Sequence, residues 1–100
     1  MASAGHGLEV LEREMSATPA EFAHGLLNAF PDGVKGGPLQ FLVVHGGVRL
    51  EIELRPGPDR VIALLRLPTL RARLRFTAGD LAARARLLEH MDLAMHRGGG

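Results

Sequence analysis

LQFLVVHGGVRLEIELRPGPDRVIALLRLPTLRARLRF, residues 39–76, alternates apolar and polar residues with a period of two, and glycine and proline break it into four segments. A side-chain period of two admits only those strand pairings that keep every oily position on one face. In the middle of the run Val48, Leu50, Ile52 and Leu54 alternate with Arg49, Glu51, Glu53 and Arg55. A four-residue loop at Pro56-Gly57-Pro58-Asp59 then sets Leu54 opposite Val61, Ile52 opposite Ala63 and Leu50 opposite Leu65. Every inward pair of that hairpin is apolar.

Working outward, His45-Gly46-Gly47-Val48 reads as a tight hairpin turn, because glycine supplies the positive φ angles such turns require. It places Val43 opposite Leu50, Phe41 opposite Ile52 and Leu39 opposite Leu54, on the same face. On the other side, Leu67-Pro68-Thr69-Leu70 is the third loop, with a bulge as the alternative at Pro68. This register sets Ala72 against Leu65, Leu74 against Ala63 and Phe76 against Val61.

Helical patterns flank the strands. Thr18-Pro19-Ala20-Glu21 combines an N-cap threonine, a proline at the first helical position and a glutamate that completes a capping box. The helix runs to about Phe30, with Phe22, Leu26, Leu27 and Phe30 as its apolar edge and Gly25 as a weak point. Val34 to Pro38 reads as loop. Past Phe76 the period becomes helical, with Leu81, Leu87, Leu88, Met91 and Met95 in one stripe and Arg86, Glu89 and His90 facing away. Thr77 or Asp80 caps this second helix, which is predicted to stop near His96, leaving residues 97–100 as a loose glycine tail. Residues 1–16 read as a frayed arm or short helix. The sum is a single α+β domain over 1–100, a two-layer sandwich of a four-stranded antiparallel meander with an N-terminal and a C-terminal helix on one face.

Size and charge bound the function classes. One hundred residues without cysteine form a modest core with no disulfide or thiolate chemistry, and the expected setting is cytoplasmic. The basic residues are nearly all arginine, with Lys35 as the one lysine, a bias that suits a GC-rich bacterial genome. No apolar run is long enough to span a membrane, so no membrane partner is expected. Residues 1–35 carry five acids against two bases, whereas residues 36–100 carry ten arginines against six acids.

No catalytic, cofactor or metal signature emerges. His6, His24, His45, His90 and His96 are dispersed, and no serine, histidine and acid arrangement follows from their spacing. The paired glycines precede strands rather than opening helices, so they do not cradle phosphate. Arg97-Gly98-Gly99-Gly100 superficially resembles the diglycine ends of ubiquitin-like carriers over the last few residues only, and a glycine helix stop explains it.

Two surfaces carry the functional expectation. On the face opposite the core, Leu42, Val44, Ile62 and Leu64 form an aliphatic group beside Glu51 and Glu53, suited to association with a second copy or another protein. On the same face Arg71, Arg73 and Arg75 make a ladder, with Arg49 and Arg66 alongside, that offers contacts to a nucleic-acid backbone. Bases have no stacking platform, since tyrosine and tryptophan are absent. Protein association, as a homodimer or adaptor, is therefore the leading expectation and phosphate binding the alternative. A small enzyme with its site around His45 or Arg84, or a core that admits an apolar ligand, stands further behind.

Overall fold

The computed structural model describes residues 10–99, with side chains through Met95. The elements run β1 (Val10–Met15), α1 (Pro19–Ala29), β2 (Val34–Gly36), β3 (Gln40–His45), β4 (Val48–Ile62), β5 (Leu65–Ala78) and α2 (Leu81–Gly99). The strands form one antiparallel sheet in the order β1-β5-β4-β3-β2. The α+β class holds, with five strands where four were expected.

The β3–β4 hairpin is as its alternation requires. Phe41 pairs with Ile52 and Val43 with Leu50, and both turn glycines take positive φ, 57° at Gly46 and 80° at Gly47. The next hairpin differs. Pro56-Gly57-Pro58-Asp59 is not a loop: β4 continues through it to Ile62, and the chain reverses at Ala63-Leu64. Leu54 therefore pairs with Ala72, Ile52 with Leu74 and Leu50 with Phe76. The expected loop at Leu67–Leu70 is likewise strand.

The prolines that suggested turns lie at a bulge. Between Gly57 and Arg60 the register shifts, so that Pro58 and Asp59 stand opposite Pro68. A bulge tolerates residues without an N–H, and the Thr69 hydroxyl donates to the Pro58 carbonyl at 2.7 Å across it.

Residues 10–15 of the expected arm are an edge strand, with Leu11 opposite Leu74, Arg13 opposite Ala72 and Met15 opposite Leu70. The charge of Arg13 interrupts what would otherwise be a readable alternation. Its guanidinium is accommodated on the helix side by an ion pair with Asp92 of α2. Val34–Gly36, expected as loop, forms β2 against β3. Residues 1–9 of the expected arm, and Gly100 of the expected tail, lie outside the described residues; the backbone of α2 continues past His96 to Gly99.

α1 begins with the expected capping box: Glu21 N–H donates to Thr18 Oγ1 at 3.1 Å and Thr18 N–H to Glu21 Oε1 at 2.9 Å. Asp80 caps α2, accepting from Ala83 N–H at 2.8 Å. Both helices cover one sheet face, where Phe22, Leu26 and Phe30 meet Leu50, Ile52, Leu70, Leu74, Phe76, Leu87, Leu88 and Met91 in one core. Gly25 is where α2 comes close to α1: a Cβ there would lie 3.1 Å from the Met95 side chain. Leu27, Leu39 and Leu81, expected inside, are exposed.

Candidate functional site

The outer face of the sheet is a set of charged columns fixed by register. Arg75 lies between Val10 and Glu51, Arg73 between Glu12 and Glu53, and Arg71 between Glu14 and Arg55. Arg71 approaches Glu14 at 3.8 Å and Arg75 approaches Glu51 at 3.7 Å. Exposed pairs of this kind contribute about 0–1 kcal/mol each. They do offset the positive charge locally: each arginine of the ladder has a carboxylate as a direct neighbour on at least one side, which weakens its pull on an approaching phosphate.

Beyond the acidic column, Leu42 lies beside Glu51, Gln40 beside Glu53, and Val44 beside Arg49. The surface dips here into an open groove of about 630 Å³ bordered by Lys35, Gln40, Leu42, Glu51, Glu53, Arg73 and Arg75. The expected neighbours Leu42, Val44, Glu51 and Glu53 are thus together. Ile62 and Leu64 are not with them: Ile62 is eleven residues from Glu51 along β4, roughly 35 Å at the usual strand rise. Arg66 also leaves the arginine face, because on β5 it shares the parity of buried Leu70 and Ala72. It lies 3.9 Å from Asp59.

Ile62 and Leu64 instead mark the end of an arm. β1 pairs with β5 only as far as Leu70, and β3 pairs with β4 only as far as Glu53. From the Gly57–Thr69 pair to the Ala63-Leu64 turn the β4–β5 ribbon has no strand on either side. Its end is apolar and exposed: Val61 60%, Ile62 50%, Leu64 100% and Leu65 62%. Val61 and Leu65 were expected in the core, and the later reversal of the chain removes them from it. Alternation itself held a signal for this arm, since Val61-Ile62-Ala63-Leu64-Leu65 breaks the period of two.

A second cluster lies where α1 ends. His90, expected to face away, donates from Nε2 to the Ala29 carbonyl at 2.7 Å, and a carbonyl can only accept, which fixes that tautomer in the neutral ring. Its ring stands nearly parallel to that of His45 at 6.2 Å, and Phe30 lies 5.2–5.3 Å from both. His45, the last residue of β3, thus stands against Phe30 at the end of the strand. Arg84 of α2 lies over the Phe76 ring at 5.5 Å and donates from Nε to the Gly79 carbonyl at 2.7 Å. Neither group joins an acid and base around a vacant reacting position. Among the described residues no three His, Cys, Asp or Glu side chains gather as metal ligands, and no helix is long and apolar enough to cross a membrane.

Compared with known proteins, the chain matches no family model, no curated protein and no solved structure.

Proposed function

We propose that this protein is a binding domain that works by associating with protein, and that the β4–β5 arm is its docking element. The observation that carries this reading is the arm's end, where Val61, Ile62, Leu64 and Leu65, within five residues of chain, are at least half exposed. A two-stranded ribbon without a third strand or a covering helix is marginal in water. Contiguous exposed aliphatics of this kind are characteristic of surfaces that become buried in a complex. Each such side chain contributes about 1.5–3 kcal/mol when fully buried, set against the rigid-body cost of association.

The composition of the arm also favours a mode of contact. Pro56 and Pro58 on β4 and Pro68 on β5 remove backbone donors from its edges, which discourages strand addition. The partner is then engaged by side chains. The phosphate-binding alternative is less favoured, because Glu12, Glu14, Glu51 and Glu53 border the arginine columns. A bacterial, cytoplasmic setting is part of the same proposal and rests on composition.

The test is gel filtration of the tagged protein in an extract of its host, beside an Ile62→Asp/Leu64→Asp variant. Both substitutions lie outside the core, so an unchanged melting transition verifies the fold. The wild type is expected to elute well above 10.7 kDa and the variant at the size of one chain. Elution of the wild type as a single chain in the extract refutes the reading.

A further inference from the structure

We infer that the outer edge of β1 is a second docking surface, independent of the arm, for an extended basic segment of another protein that adds to the five-stranded sheet as an antiparallel strand. Backbone direction supports it first. The Leu54 N–H donates to the Leu39 carbonyl at 2.7 Å, so Leu54 turns its backbone groups toward β3 and away from β5. Along an antiparallel ladder this direction alternates, and paired residues turn toward each other or away together. Ala72, the partner of Leu54, therefore turns toward β1, and Arg13, the partner of Ala72, turns back toward it. Val10, Glu12 and Glu14 then aim their N–H and C=O groups outward, where no strand among the described residues receives them.

The other edges are interrupted. At the opposite margin β2 is three residues long and ends at Gly36, which holds φ at 97°, and the arm carries Pro56, Pro58 and Pro68. β1 keeps one register with β5 over all six of its residues, without proline, glycine or bulge. Of these edges it alone offers an unbroken row of donors and acceptors, the requirement for recognition by strand addition.

Side chains then select the occupant. On the helix side Leu11 and Met15 are half-buried at the margin of the core, so apolar side chains opposite them extend it. Arg13 between them is already engaged by Asp92. On the outer side Glu53, Arg73 and Glu12 form one row, two acids around one base, and Glu12 has no ion pair among the described residues. A cation opposite Glu12 balances that row. Glu14 is approached by Arg71 at 3.8 Å, so a cation opposite it gains less. Like charges directly opposite each other destabilise a strand pair, which disfavours an acidic strand and a second copy alike. The two longest two-fold pairings of β1 with itself, centred on Glu12 and on Arg13, set Glu12 against its own copy or against Glu14.

The probe is a fluorescent acetylated peptide alternating valine and lysine, read by anisotropy against the full chain. The wild type is expected to bind it about tenfold more tightly than a peptide alternating valine and glutamate. Glu12→Gln is expected to weaken binding about threefold, and more than Glu14→Gln does, with unchanged melting transitions verifying both folds. With lysines opposite Glu12 and Glu14, the lysine N–H groups face β1 and the valine N–H groups face solvent. N-methylation of the lysines is therefore expected to abolish binding, and N-methylation of the valines to spare it. Amide exchange at Val10, Glu12 and Glu14 is expected to slow in the complex while residues 60–67 are unchanged. Absence of binding at millimolar peptide overturns the inference, as does undiminished binding by Glu12→Gln. Binding that survives lysine N-methylation is charge attraction without an added strand and overturns it equally. The Ile62→Asp/Leu64→Asp variant is expected to bind as the wild type does; loss of binding there assigns the peptide to the arm and refutes the β1 edge. The docking role of the arm stands or falls separately, by its own elution test.

Discussion

Gly57 and Thr69 face each other across the base of the arm, and a Cβ at position 57 would lie 2.7 Å from the Thr69 hydroxyl oxygen. That hydroxyl holds the bulge by its bond to the Pro58 carbonyl. Gly57→Ala is therefore expected to break the bond and loosen the arm by about 1 kcal/mol. Adding Thr69→Ala removes the collision, so the double variant should lose less than the two single losses combined. Amide exchange at residues 60–67 measures both, with the core amides unchanged as the control.

Leu26 and Leu64 mark the extremes of burial, 0% and 100% exposed. Leu26→Ala is expected to lower unfolding stability by about 2–5 kcal/mol, the usual cost of a core cavity. Leu64→Ala in a monomeric background is expected to stay within about 0.5 kcal/mol of wild type. Urea titration of both variants checks the contrast.

Ala63 holds φ at 54°, the one described non-glycine residue in the left-handed region. That conformation costs an L-residue about 1–2 kcal/mol, partly offset in glycine by its freer unfolded chain. Ala63→Gly is expected to raise protection of the arm amides severalfold, read by hydrogen exchange.

Arg73 stands between Glu12 and Glu53 in the register. Arg73→Glu would align three carboxylates and is expected to destabilise the sheet by about 1 kcal/mol, less at high salt as the repulsion is screened. Thermal melts at low and high ionic strength test this. In the same account the wild type shows no salt-dependent retention on short RNA or DNA, and an Arg71/Arg73/Arg75→Ala variant behaves alike on that column.

The legible parts of this fold are those where local chemistry and tertiary packing agree. Thr18 and Glu21 close the capping box within one turn, Gly46-Gly47 admits the tight reversal, and the inward residues from Phe41 to Leu54 keep one face. What escaped depended on context. Pro56, Gly57, Pro58 and Pro68 favour turns locally, yet opposite one another they make a bulge, an outcome visible only once β4 and β5 are paired. Arg13 concealed β1 because its partner, Asp92, lies 79 residues away. The site was legible in the same measure: Leu42, Val44, Glu51 and Glu53 stand together as their shared sheet face required. Ile62 and Leu64 moved to the arm with the displaced turn.

Docking by the arm presupposes that the hairpin turns at Ala63-Leu64, and cross-strand thiol trapping measures that most directly. In the structure Glu53 pairs with Arg73, whereas a turn at Pro56–Asp59 would pair Glu53 with Ile62. The account predicts rapid intramolecular disulfide formation in Glu53→Cys/Arg73→Cys and none in Glu53→Cys/Ile62→Cys. The reverse pattern would contradict it.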